Sequence, residues 1–212
     1  DKNGNIKALK RNAGSSSLAD DLTYTYSGNR ITKVEDAAGT SGLFSNGSTA
    51  TTEYTYDNNG NLKSDLNKGI SNITYNCLNL PLSMTFSNGS TIAYTYDANG
   101  RKLRTVHNVG GTTTTTDYAG NVIYENGVQK KLLTEEGYVD LTSGTYYYYL
   151  KDHQGNNRVV VNSGGTVTET NHYYPFGGTF ASGTVQPYKY NGKELDMKAG
   201  LNWYDYGARH YD

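Results

Sequence analysis

One short pattern recurs along this chain and limits what the chain can become. Tyr24-Thr25-Tyr26-Ser27-Gly28-Asn29-Arg30 returns as Tyr54-Thr55-Tyr56-Asp57-Asn58-Asn59-Gly60-Asn61, and nearly in full as Tyr94-Thr95-Tyr96-Asp97-Ala98-Asn99-Gly100-Arg101. Weaker copies stand at Ile73-Thr74-Tyr75-Asn76 and Thr116-Asp117-Tyr118-Ala119-Gly120. From Tyr56 through Tyr75 and Tyr96 to Thr116 the steps are 19, 21 and 20 residues. The earlier step of 30, from Tyr26 to Tyr56, contains a Gly/Ser/Thr-rich insertion at 37–52. A fixed period of this length marks a repeated supersecondary unit whose copies must pack on one another.

The residues of the unit specify a β-hairpin. Alternation along a strand puts Tyr54 and Tyr56 on one face and Thr55 on the other. Tyr and Thr both suit a pleated surface. Asp57 opens a turn through its short side chain, and Asn59-Gly60 tolerates the positive φ of a tight return. The same roles fall to Tyr94, Tyr96, Asp97 and Gly100 in the later copy. Composition agrees with thin sheets. Tyr contributes 21 of 212 residues within a hydrophobic fraction of only 35%. Much of the buried area must therefore be tyrosine ring, with its hydroxyl near water or a partner. Residues 128–136 read as strand or turn, and no helix is supported.

Several function classes lose support at once. With 19 Lys and Arg against 20 Asp and Glu, no basic stripe favours nucleic acid. No apolar run approaches a membrane span. Cys77 is the single cysteine, so no internal disulfide forms and the compartment stays undetermined. Asp57 to Asn61 faintly resembles a calcium loop, but Leu62 and Lys68 occupy the positions where that loop needs Gly and Glu. His107, His153, His172 and His210 lack metal-ligand spacing and read as surface or strand histidines; no metal and no cofactor is implied. The sequons at Asn46, Asn72 and Asn88 are of a kind that Asn-rich turns produce by chance. The chain opens inside a turn, without an initiator Met, and reads as a fragment.

From about Gly137 the repeat gives way to non-repeating blocks. These are Asp152-His153-Gln154-Gly155, Tyr173-Tyr174-Pro175-Phe176-Gly177, Tyr188 to Asp196 with Gly192 inside it, and Gly200-Leu201-Asn202-Trp203-Tyr204-Asp205 running on to Arg209-His210-Tyr211-Asp212. In this order they resemble the core domain associated with RHS repeats, and the upstream hairpins resemble the YD/RHS repeats themselves. The likeness covers nearly the whole chain, leaving 10–21 and 37–52 unmatched. It divides the chain into YD/RHS repeats over 1–136 and an incomplete core over 137–212.

The resemblance implies an all-β fold of tandem antiparallel hairpins in a continuous spiralling sheet, a piece of a hollow β-shell. It implies a role as well: enclosing and presenting a toxin that follows in the same chain, for competition between bacteria, at the cell surface or after secretion. Such shells release their cargo through an aspartyl protease activity of their own. An aspartyl mechanism needs two carboxylates sharing a site, one protonated and one ionised. The candidates on matching positions are Asp205, Arg209 and Asp212, acting in a longer parent. The plainer expectation makes Asp196 and Asp205 turn residues and lets Arg209 bond carbonyls, so the fragment cleaves nothing.

Two alternatives stand beside the shell: a surface adhesion or carbohydrate-binding module, and part of a self-cleaving peptidase. Glycans would stack on Trp203 and on the Tyr146 to Tyr149 run. Strand edges left open in a fragment invite self-association.

Overall fold

The computed structural model describes residues 1–12, 18–38 and 43–212, so parts of both stretches left unmatched above lie outside the described residues. It resolves into two compact units, Asp1–Gly89 and Ser90–Asp212. In the first, β1 (Ala8–Asn12), β2 (Leu18–Ser27) and β3 (Arg30–Asp36) form a three-stranded antiparallel sheet. Then β4 (Tyr54–Tyr56), β5 (Leu62–Asp65), β6 (Ile70–Tyr75) and β7 (Pro81–Phe86) pair antiparallel in chain order. Its apolar core is small: Leu22 and Val34 in one sheet, Ile70, Ile73, Met84 and Phe86 in the other. Buried carboxylates supplement it. Glu53 is fully buried and accepts from Val34 N at 3.0 Å and from Asn67 Nδ2 at 2.8 Å.

The second unit continues the pattern. Ten strands pair consecutively: β8 (Thr91–Tyr96), β9 (Lys102–Val109), β10 (Thr112–Ala119), β11 (Val122–Glu125), β12 (Val128–Leu133), β13 (Gly137–Asp140), β14 (Thr145–Lys151), β15 (Asn157–Asn162), β16 (Val167–Tyr173) and β17 (Thr179–Ser182). A separate three-stranded sheet follows, of β18 (Glu194–Asp196), β19 (Trp203–Asp205) and β20 (His210–Tyr211). The expected domain boundary at 136/137 falls in the turn between β12 and β13, which pair in register from Lys131↔Asp140 to Leu133↔Tyr138. The Tyr146 to Tyr149 run lies on β14 and alternates. Tyr146 and Tyr148 are exposed, while Tyr147 stacks on buried Tyr138 with centroids 4.7 Å apart.

One turn geometry recurs at several Asp-x-x-Gly copies, though not at Asp117–Gly120, where Asp117 lies within β10. Asp57 Oδ1 accepts from Asn61 N at 2.8 Å and Oδ2 from Asn61 Nδ2 at 2.9 Å, while Gly60 N donates to Asp57 O at 3.1 Å. Asp97 and Asp152 repeat this bonding to the residues that follow them, closing onto Gly100 and Gly155. Asn76 and Asn162 substitute for Asp in the same geometry. The return is thus a five-residue loop. The positive φ expected of the Asn59-Gly60 pair belongs to Gly60 alone, at 88°.

The tyrosine before the turn has a different task. Tyr26 Oη donates to Ile6 O at 2.7 Å, Tyr56 Oη to Ile31 O at 2.9 Å, Tyr75 Oη to Leu62 O at 2.6 Å and Tyr173 Oη to Asn157 O at 2.8 Å. In each case the acceptor lies just past the preceding turn, as its first residue at Ile6, Leu62 and Asn157 and as its second at Ile31. The ring also carries a cation on three of these four occasions: Lys7 over Tyr26, Arg30 over Tyr56 and Arg158 over Tyr173. Tyrosine therefore stitches one hairpin to the last. Burial pushes the Tyr75 phenol up to about 12, so the donor proton stays in place throughout the physiological range. We expect Tyr75→Phe to cost about 0.5–1.5 kcal/mol, the net value of one hydrogen bond, read as a lower urea midpoint at unchanged m-value.

Candidate functional site

The strongest concentration of charge lies where β9 and β10 meet the C-terminal sheet. Glu194 and Asp205 sit opposite one another in the β18–β19 register. Lys102, at the start of β9, reaches both, with Nζ 2.8 Å from Glu194 Oε2 and 2.6 Å from Asp205 Oδ2. Tyr118 of β10 donates to Glu194 Oε1 at 2.8 Å and lies with its ring under the ammonium, 4.6 Å away. The three charged side chains are only 15–20% exposed. A second link runs alongside, from His107 Nε2 to Asp196 Oδ2 at 2.8 Å.

Burial opposes the Lys102 ammonium, but Glu194, Tyr118 and Asp205 outweigh it and hold its pKa well above the usual lysine range. Burial likewise opposes the Asp205 carboxylate, and Lys102 overcomes it, keeping Asp205 below its ordinary value. Lys102 thus stands between the two carboxylates and contacts an oxygen of each. This differs from the dyad of an aspartyl mechanism, where one carboxyl is protonated. The arrangement suits a clamp.

Each aspartate divides its two oxygens. Asp205 Oδ1 accepts from Gly207 N at 2.7 Å and Asp196 Oδ1 from Lys198 N at 3.0 Å, opening the turns after β19 and β18. The remaining oxygens make the links to Lys102 and His107. Of the other two sequence candidates, neither joins the cluster. Arg209 is exposed, and its backbone carbonyl closes the turn by accepting from Tyr206 N at 3.1 Å. Among the described residues its side chain makes no hydrogen bond or ion pair, so the expected bonding to carbonyls is absent. Asp212 is exposed.

The remaining motif residues are assembled by this region. Asn156, beside Gly155 in the Asp152 turn, accepts from Asn191 N at 2.8 Å, docking the Tyr190–Gly192 turn on it. The Pro175–Gly177 turn offers its carbonyls to the C-terminal sheet: Tyr204 Oη donates to Gly177 O at 3.1 Å and Tyr211 Oη to Phe176 O at 2.7 Å. Phe176 itself is exposed and Gly177 buried, while Gly200 ends a short turn before the fully buried Leu201.

Trp203 corrects an expectation. It is 7% exposed and packs against His210, centroids 5.9 Å apart, so it offers no face to a sugar. His210 packs on Tyr94 as well, at 5.6 Å. The Tyr94 hydroxyl, Trp203 Nε1 and His107 Nδ1 are buried without hydrogen-bond partners. Sequence reading placed His107 on a strand but missed its burial and its partner. The one signal was alternation, since Thr105 and His107 share a face of β9. Among the described residues no cluster of His, Cys, Asp and Glu would hold a metal ion, and no helix is long and apolar enough to cross a membrane.

Two measurements check the clamp. Lys102→Met leaves two carboxylates facing each other without their cation, and we expect it to lower stability by about 3–5 kcal/mol in urea titration. Burial, with Lys102 nearby, depresses His210 below the ordinary histidine range. A depressed folded pKa means stability present above the unfolded value and lost as pH falls. We expect the melting temperature to decline as pH drops below about 6.5. That decline should shrink in His210→Gln.

Comparisons with known proteins agree with the architecture. The RHS repeat family model matches residues 75–113. Salivary gland surface protein 1 of Aedes aegypti is 28% identical over 186 residues, covering 74% of this chain and 5% of that protein. Among solved structures, TcdB2-TccC3-TEV superposes with a TM-score of 0.68 at 16% identity, over 96% of this chain and 11% of that one. The Photorhabdus luminescens Tc holotoxin pore gives 0.56 at 16% identity, over 99% of this chain and 16% of that one. This chain thus spans a small part of each of these relatives. The matched repeat at its centre, the similar tyrosine–aspartate hairpins recurring along it, and the all-β fold it shares with those structures over nearly its whole length together support an RHS/YD-repeat protein.

Proposed function

We propose that this chain is a structural wall segment of an RHS/YD shell whose parent encloses and presents a toxin following it, for competition between bacteria. In this reading residues 137–212 are the RHS-associated core, and the parent is secreted or displayed at the cell surface. The observation that carries the proposal is the Lys102 clamp. It fixes the last three strands onto β9 and β10 through desolvated charge, as an element closing a container must be fixed. The fold likeness to TcdB2-TccC3-TEV supports it. The chain contributes no peptidase chemistry of its own: Asp205 is committed to Lys102, Arg209 stands outside the cluster, and Asp212 is exposed.

The test uses the parent protein. We expect a domain of unrelated sequence beyond Asp212 that resists limited proteolysis in the intact parent and becomes sensitive in Lys102→Met. Processing of that parent should be unchanged in Arg209→Ala. A parent with a wall anchor in place of such a domain would overturn the toxin reading.

That outcome would favour the second reading, a cell-surface β-repeat module. The Aedes aegypti relative, named as a salivary gland surface protein, supports it. Trp203 being buried, any glycan contact would fall to exposed Tyr146 and Tyr148. A glycan array with Tyr146→Ala and Tyr148→Ala as controls decides that point.

A further inference from the structure

A second buried charged group lies away from the clamp and takes no part in it. Glu169 and Asn171 of β16 stand two residues apart and so share one face of the strand. Lys189 approaches them from the segment after β17. All three side chains are buried, Lys189 and Asn171 completely. Lys189 Nζ lies 2.5 Å from Glu169 Oε1 and 3.3 Å from the amide oxygen of Asn171. Asn171 Nδ2 donates to the same Glu169 oxygen at 2.8 Å. One carboxylate therefore touches both the amine and the amide nitrogen. The Asn171 amide oxygen also accepts from Ser182 Oγ at 2.7 Å, which polarises the carbonyl.

We propose that Lys189 and Asn171 form an intramolecular isopeptide bond, with Glu169 as the catalytic proton carrier. Starting from the ion pair, the ammonium gives one proton to the Glu169 carboxylate. The free amine attacks Asn171 Cγ, and negative charge gathers on the amide oxygen facing Ser182 Oγ. Glu169 returns its proton to Nδ2, the Cγ–Nδ2 bond breaks and ammonia leaves. The new Nζ–Cγ amide keeps one hydrogen on Nζ, and the remaining amine proton leaves with the ammonia as ammonium. No oxidant, reductant or further reactant is needed.

The surroundings fit this chemistry. Glu169 Oε2 is held by Val185 N at 2.9 Å, and Gln186 Nε2 donates to Oε1 at 2.9 Å, so the carboxylate is fixed in position. Lys189 is aimed by the Gly183 carbonyl at 2.8 Å. Only glycine fits at 183, since a Cβ there would lie 2.4 Å from Glu169 Cγ. Burial lowers the Lys189 pKa, easing release of the proton that masks the nucleophile. The bond would tie β16 covalently to the segment that leads into the C-terminal sheet.

Intact-mass measurement and peptide mapping of the folded chain test the proposal. We expect a deficit of one ammonia and a branched peptide joining the segments that carry Asn171 and Lys189. Asn-Gly pairs such as Asn59-Gly60 lose ammonia by forming a cyclic imide, so the branched peptide decides. Asn171→Ala and Glu169→Gln should keep the two segments linear, as should wild-type chain held in urea. Recovery of both segments as unmodified linear peptides from folded wild-type protein overturns the proposal. A branched peptide formed equally fast in Glu169→Gln overturns the role of Glu169.

Discussion

The fold depends on a division of labour within one dipeptide. At Tyr56-Asp57 the aspartate bends its own hairpin by bonding the backbone that follows, and the tyrosine before it reaches sideways to a carbonyl just past the previous turn. A lone two-stranded hairpin is marginal in water, so a thin chain of hairpins survives only if each is bound to the last. The tyrosine hydroxyl supplies that bond at a place where the ladder has just opened for a turn. Its ring supplies apolar area that scarce Leu, Ile and Val do not. The roughly 20-residue period follows, since it is the length of one strand out and one back with the turns between.

The C-terminal part reuses these elements for closure. Its turns face not the next hairpin but each other, and its tyrosines donate to carbonyls of the Pro175–Gly177 turn. Apolar burial there is modest, with Leu195, Leu201, Trp203 and Tyr204 forming the core. Desolvated ion pairs at Lys102 and Lys189 lie beside it. Such pairs add little net stability compared with apolar packing of equal volume, but removing one partner is costly. They therefore fix which arrangement forms, and a segment pinned by charge in this way is poorly able to slide.

Much of this was legible beforehand. Alternation in Tyr54-Thr55-Tyr56 and the Asp57-to-Gly60 turn identified strand and return from local chemistry alone, because both depend on residues within one hairpin. Trp203 misled for the opposite reason. An isolated aromatic on a short strand carries no signal of what will cover it, and His210 of β20, itself packed on Tyr94, does so. Lys102 was equally silent. It stands 92 residues from Glu194, and its role exists only once β9 and β18 are neighbours.

By itself, then, the sequence determined the hairpin unit, its period and the all-β class, since side-chain alternation and turn bonding act over a few residues. Tertiary structure alone decided which charges meet. It placed Asp205 with Lys102 and left Arg209 in solvent, and it set Lys189 against Glu169 and Asn171. The physical reason is that an ion pair's strength depends on burial and separation, and neither is written in residue order.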